Sequence, residues 1–182
     1  MVAQIKRNPL NELALLRAWS DWNSKSRSDY MEAILRLPPE DRRKDRGASW
    51  GGIQDIFLHV IEDYIWWFES VPQGRGEDQF EALVGRDVSE NELRSLVQQV
   101  DGSVRIFMGS LSSDEDLGHP FVVHGTSGNG KAYTMTTCPA DIVWHMVEEQ
   151  LQHFGEINAL FWQLDIDPPV HAWFSSEMAW TH

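Results

Sequence analysis

An all-α fold, a four-helix bundle with long connections, is what this sequence predicts, and three observations predict it. Four long stretches carry apolar residues at spacings of three and four, the period of a helix with one buried face. Proline or a run of small and polar residues closes each stretch, at Pro38-Pro39, before Pro72, from Ser110 to Asp116, and before Pro168-Pro169. Only between Gly118 and Thr137 does the period shift toward that of a strand. Helix packed on helix around one core follows.

The first helix is expected to open with Asn8 as its cap and Pro9 at its first position, where the fixed φ and missing N–H both fit. It runs through Leu13, Leu16, Trp19 and Trp22, crosses a polar patch from Ser24 to Asp29, and resumes at Tyr30, Ile34 and Leu37. Residues Glu40 to Gly47 mix Arg42-Arg43-Lys44 with Glu40, Asp41 and Asp45, and read as a solvated loop. The second helix, from Ser49 to Ser70, is built on Ile53, Ile56, Phe57, Val60, Ile61, Tyr64, Trp67 and Phe68. Its polar stripe is Asp55, His59, Glu62 and Asp63.

Gly74 to Gly85 reads as a loop with one apolar insert. Ser89 and Glu92 then stand in the Ser-x-x-Glu order of a capping box, opening a third helix on Leu93, Leu96, Val97, Val100, Val104 and Phe107 that frays from Ser110. Phe121-Val122-Val123 and Ala132-Tyr133-Thr134-Met135 flank a turn-rich Gly125 to Gly130, which predicts a short β-hairpin between helices three and four, as a lid or a crossover. The fourth helix starts with Thr137 or Cys138 as cap and Pro139 at its first position. Asp141 lies in its first turn, where negative charge suits the helix dipole, and the helix ends near Asp165. A C-terminal tail with Trp173, Phe174, Met178 and Trp180 is apolar enough to pack on the bundle or on a second subunit, so a homodimer is expected.

Composition narrows the function classes. A chain of 182 residues, 42% hydrophobic with 9 Trp and 8 Phe, can bury one core, so residues 1–182 read as a single domain. A net charge of -13 argues against nucleic-acid backbones and anionic membranes as partners and leaves neutral or cationic small molecules. The single Cys138 excludes an internal disulfide framework and a cysteine-rich zinc site. No apolar run reaches spanning length, and the first eight residues hold no apolar signal core, so a cytoplasmic location is expected.

The chemistry concentrates in the fourth helix. At about 100° per residue, Ile142, Met146, Ile157, Leu160 and Leu164 share one face, and Glu149 and His153 fall in the same sector. Ionisable groups there must be matched, by a polar partner or by a metal. Residues at i and i+4 stand one turn apart with Cβ atoms about 5–6 Å from each other, near enough to reach one ion. His59, at the edge of its helix's apolar sector, reads on its own as a boundary histidine. His145 lies two turns, about 11–12 Å of rise, before His153, too far to share its ion; beside Glu149 it reads as pocket wall. Asp63 and Glu156 stand where either could accept an imidazole N–H, or remain solvated. Cys138 reads as a buried or capping residue, and His119, His124, His171 and His182 fall in loops or the tail.

The run Leu58-His59-Val60-Ile61-Glu62-Asp63-Tyr64-Ile65-Trp66-Trp67-Phe68 resembles the second helix of the DinB/YfiT-like metalloenzyme superfamily. Glu149-Gln150-Leu151-Gln152-His153-Phe154-Gly155-Glu156-Ile157 is similar to the ligand segment of its fourth helix, and Leu35-Arg36-Leu37-Pro38-Pro39-Glu40 to the close of its first. The likeness covers residues 10 to 165. It implies a helix-two histidine and two helix-four ligands on one divalent metal, here His59, Glu149 and His153. The middle position commonly holds histidine; glutamate there matches the mycothiol-dependent maleylpyruvate isomerase branch. The resemblance implies zinc, with nickel or iron also suited to two imidazoles and a carboxylate. It further implies a transferase-like reaction in which the metal activates a low-molecular-weight thiol or water, on a substrate that the sequence does not name. The alternative is a metal-free or structural-metal bundle serving dimerisation or small-ligand binding. DNA handling does not fit the charge.

Overall fold

The computed structural model describes residues 11–73, 82–126 and 130–169. Within them the chain is a bundle of four long helices with one two-stranded sheet, as the periodicity predicts.

Helix α1 spans Glu12–Leu35 and is capped by Asn11, whose side chain accepts from the Ala14 N–H. The cap thus falls three residues after Asn8, which with Pro9 lies outside the described residues. The polar patch from Ser24 to Asp29 does not interrupt it. Asn23, Ser26 and Arg27 are buried on the side that also carries Leu16, Tyr30 and Ile34.

Residues Glu40 to Gly47 are only in part the solvated loop that mixed charge suggests, with Arg43, Lys44, Asp45 and Gly47 exposed. Pro39–Arg43 form a short helix, α2, and Arg42 is buried. Its guanidinium donates to Leu37 O at 2.8 Å and Leu35 O at 2.5 Å, satisfying carbonyls that the end of α1 leaves without partners, and pairs with Glu90 at 2.8 Å. The chain then turns through Ala48 and Gly51, the latter at φ 84°, so Ser49 and Trp50 precede the second long helix instead of opening it. That helix, α3, spans Ile53–Ile65 with Gly52 as cap. A side chain at Gly52 would place Cβ 2.9 Å from Arg43 O, so α2 and the start of α3 approach as closely as they do only because it is absent. The helix continues as a π turn over Trp66–Ser70 and a 3-10 turn over Val71–Gln73.

Two carboxylates of the α3 polar stripe fasten the return to the third long helix. Glu62 accepts from the backbone N–H of Leu83 and of Val84, and Asp55 accepts from Gly85 N–H at 2.9 Å. Residues 74–81 of the expected loop lie outside the described residues. Helix α4 spans Glu90–Ser110, and Ser89 Oγ accepts from Glu92 N–H at 3.3 Å, as the capping motif predicts; the Glu92 carboxylate pairs with Arg86. Where fraying was expected, Asp114–Leu117 form a short helix, α5, closed by a Ser113–Asp116 capping box.

Strands β1, Phe121–Thr126, and β2, Ala132–Thr137, pair antiparallel with Phe121 opposite Thr137. Helix α6 spans Pro139–Gln163 with Cys138 at its cap position. The aromatic tail from residue 170 lies outside the described residues. Helices α1, α3, α4 and α6 surround one core in which Leu16, Ile34, Phe57, Leu93, Ile157 and Phe161 are almost fully buried. No described helix is long and apolar enough to cross a membrane.

Candidate metal centre

Helices α3 and α6 lie side by side, and their packing brings His59 to Glu149 and His153. One donor atom from each lies within 4.8 Å of the others. The His59 and His153 rings meet edge to face with centroids 4.9 Å apart. His153 is buried, His59 largely so, and Glu149 sits at the margin with 22% of its side chain exposed. The helical wheel therefore places His153 correctly in the interior and Glu149 somewhat too deep.

Two neighbours orient His153. Glu156, one turn after His153, lies 2.8 Å from its Nδ1, and Ser49 Oγ donates to the same carboxylate oxygen at 2.7 Å. Burial raises the Glu156 carboxyl, but hydrogen bonds from His153 and Ser49 outweigh it and hold the group below its ordinary range. An ionised Glu156 can only accept, so His153 Nδ1 carries a proton and donates to it, while Nε2 faces Glu149. That nitrogen lies 3.3 Å from Glu149 Oε2. Two acceptor atoms so close repel unless a cation or a proton lies between them. Two imidazoles and a carboxylate are also a catalytic zinc donor set that leaves a fourth position open, so these residues fit a divalent metal.

Asp63 Oδ2 is 3.2 Å from His59 Nε2. Burial, then the charges of Glu149 and Glu62, push the Asp63 carboxyl up to about 7. Burial, then His153, push His59 down to about 4, against an opposing pull from Glu156. His59 is therefore neutral at neutral pH, the form in which an imidazole binds metal. Trp50 stacks on it, rings 4.2 Å apart and 28° from parallel, and covers one side of the site.

His145 stands off the three donors, its Nδ1 4.0 Å from Glu149 Oε1 and its ring edge to face with Trp67 at 5.6 Å. It lines a cleft of about 290 Å3 between the end of α3, strand β2 and the start of α6. The remaining described histidines are elsewhere: His124 lies beside Thr134 Oγ1 in the hairpin and His119 near Asp116. Sequence reasoning missed Ser49 and Trp50, having assigned them to the second helix. The Gly51-Gly52 pair is the signal that the chain turns there.

It missed the buried network behind the site as well. Arg27, fully buried, donates to Gln150 Oε1 at 2.8 Å and Asp101 Oδ1 at 2.5 Å and lies over the Tyr64 ring at 4.1 Å. Gln150 donates in turn to Asn23 O at 3.0 Å. Helix α6 is thereby tied to α1 at the residue next to Glu149.

Two imidazoles and a carboxylate converge from the second and fourth long helices of a helical bundle, a group that could hold one metal ion between two helices. The chain belongs to the DinB family, whose model matches residues 12–176. No curated protein matches it.

Proposed function

We propose that this protein is a metal-dependent enzyme in which His59, Glu149 and His153 hold one divalent ion, zinc by the chemistry of the donors. The observation that carries the reading is the convergence of these three donor atoms within 4.8 Å, with His153 Nε2 3.3 Å from Glu149 Oε2. Zinc so held keeps one position open, where it acidifies bound water toward about pH 7 or keeps a thiol as thiolate. Glu156 and Ser49 fix the His153 ring in the tautomer that ligation requires, Asp63 braces His59, and Trp50 keeps water from one face of it. His145 and its cleft supply the side from which a substrate reaches the open position. Transfer of a low-molecular-weight thiol is the reaction the family resemblance favours, with hydrolysis as the other use of the same centre.

A metal-free reading has one observation in its favour: a doubly protonated His153 can satisfy Glu149 and Glu156 together, closing the cluster without an ion. A chelation assay separates the two. Conjugation of bacillithiol, mycothiol or glutathione to a bimane electrophile is expected to fall at least about tenfold when metal is stripped, to return with zinc, and to be absent in His153→Ala. Conjugation or ester hydrolysis indifferent to stripping overturns the metal-dependent reading.

A further inference from the structure

The cleft beside His145 contributes none of the three donors, yet its lining is specific. Trp67, Met135 and Ile142 give it apolar walls, Thr136 and Thr137 hydroxyls, and Asp141 its only carboxylate among the described residues, of which neither a lysine nor an arginine lines it. Its volume of about 290 Å3 suits a small molecule. His145 belongs to both cleft and centre, since its Nδ1 reaches within 4.0 Å of Glu149 Oε1.

From this lining we propose that the cleft binds the ammonium group of a small organic cation, which is the substrate, or part of it, presented to the centre. The inference deepens the metal-dependent reading above and rests on it. An indole and a carboxylate around an apolar pocket are the chemistry of quaternary and alkylated ammonium recognition: the ring face attracts the cation, and the carboxylate neutralises it. Trp67 comes to the cleft from the π turn of α3, a widening of the helix that is frequent at functional sites. Two features would favour an anion, the N-terminus of α6 and a protonated His145; Asp141 in the first turn of α6 opposes the first, and Glu149 Oε1, 4.0 Å from His145 Nδ1, opposes the second. The chain's net charge of -13 draws cations in the same sense.

The test uses the full-length, zinc-loaded protein and three ligands of one shape: choline, neohexyl alcohol in which carbon replaces the ammonium nitrogen, and tert-butylacetate, which carries a carboxylate. Binding is followed by the indole and imidazole resonances, with zinc content measured on the same samples. Choline is expected to bind at least about fivefold tighter than the neutral isostere, and the anion weakest. Asp141→Asn is expected to weaken choline about threefold, Trp67→Leu further, with the neutral isostere unaffected by the first change and zinc retained in both. Equal affinity for choline and its isostere, selectivity that survives both substitutions, or no saturable choline binding overturns the proposal. A parent protein that holds zinc yet does not prefer choline counts against this inference alone. Selectivity without zinc counts against the metal centre and leaves the cation site standing.

Discussion

At the scale of single residues, the site depends on how burial divides protons among close neighbours. His59 is held at about 4 and Asp63 at about 7, both chiefly by loss of water. The two shifts act on stability in opposite directions. A histidine whose pKa falls on folding contributes stability that is present above its unfolded value near 6.5 and is lost as pH falls toward 4. A carboxyl whose pKa rises contributes stability that is full below its unfolded value near 3.8 and is lost as pH rises through 7. Across that window they largely offset. Removing the carboxyl exposes the histidine: metal-free Asp63→Asn is expected to lose about 1–2 kcal/mol more than the parent between pH 6.5 and 4.5, read from urea midpoints. Identical pH slopes would show that His59 is not buried as described. None of this is readable on a helical wheel, which places His59 at a boundary. Its surroundings come from other parts of the chain, Trp50 in the turn before α3 stacked on its ring and His153 of α6 edge to face with it.

The elements were legible where periodicity is long and caps are conventional. Four helical stretches, the Ser89 cap, the Pro139 start and the hairpin all follow from local pattern. What local pattern misses is tertiary. Arg42 reads as a solvated charge because sequence does not show that the end of α1 needs donors for Leu35 O and Leu37 O. The second helix begins later than its apolar pattern suggests, since Gly51 and Gly52 serve a turn that returns Ser49 and Trp50 to the site. Gly52→Ala tests that turn. Its methyl meets the Arg43 carbonyl, and a stability loss of about 1–3 kcal/mol is expected in chemical denaturation. An unchanged midpoint would mean that α2 and α3 are not pressed together there.

Across the whole molecule, the bundle converts helix register into site geometry. Because α3 and α6 pack side by side, His59 and Glu149, far apart along the chain, come with His153 to within 4.8 Å of one another, a juxtaposition that no spacing within either helix reveals. Within α6 the pair Glu149 and His153 was legible, since both fall in the apolar sector; Arg27 on α1 satisfies the same criterion beside Tyr30 and Ile34 and passed for part of a polar patch. Its bonds to Asp101 and Gln150 hold α1, α4 and α6 in one register. The third member of the group, by contrast, was legible only through resemblance to the family, because burial alone does not single out His59.

Metal content tests the central claim most directly, measured by elemental analysis on protein purified without a polyhistidine tag, beside Glu149→Gln. The account predicts about one divalent ion per chain in the parent, and at least about a tenfold loss of affinity in the variant, whose neutral amide is a poor ligand at unchanged shape. A parent that takes up no metal even from added zinc, or a variant that holds as much as the parent, contradicts it.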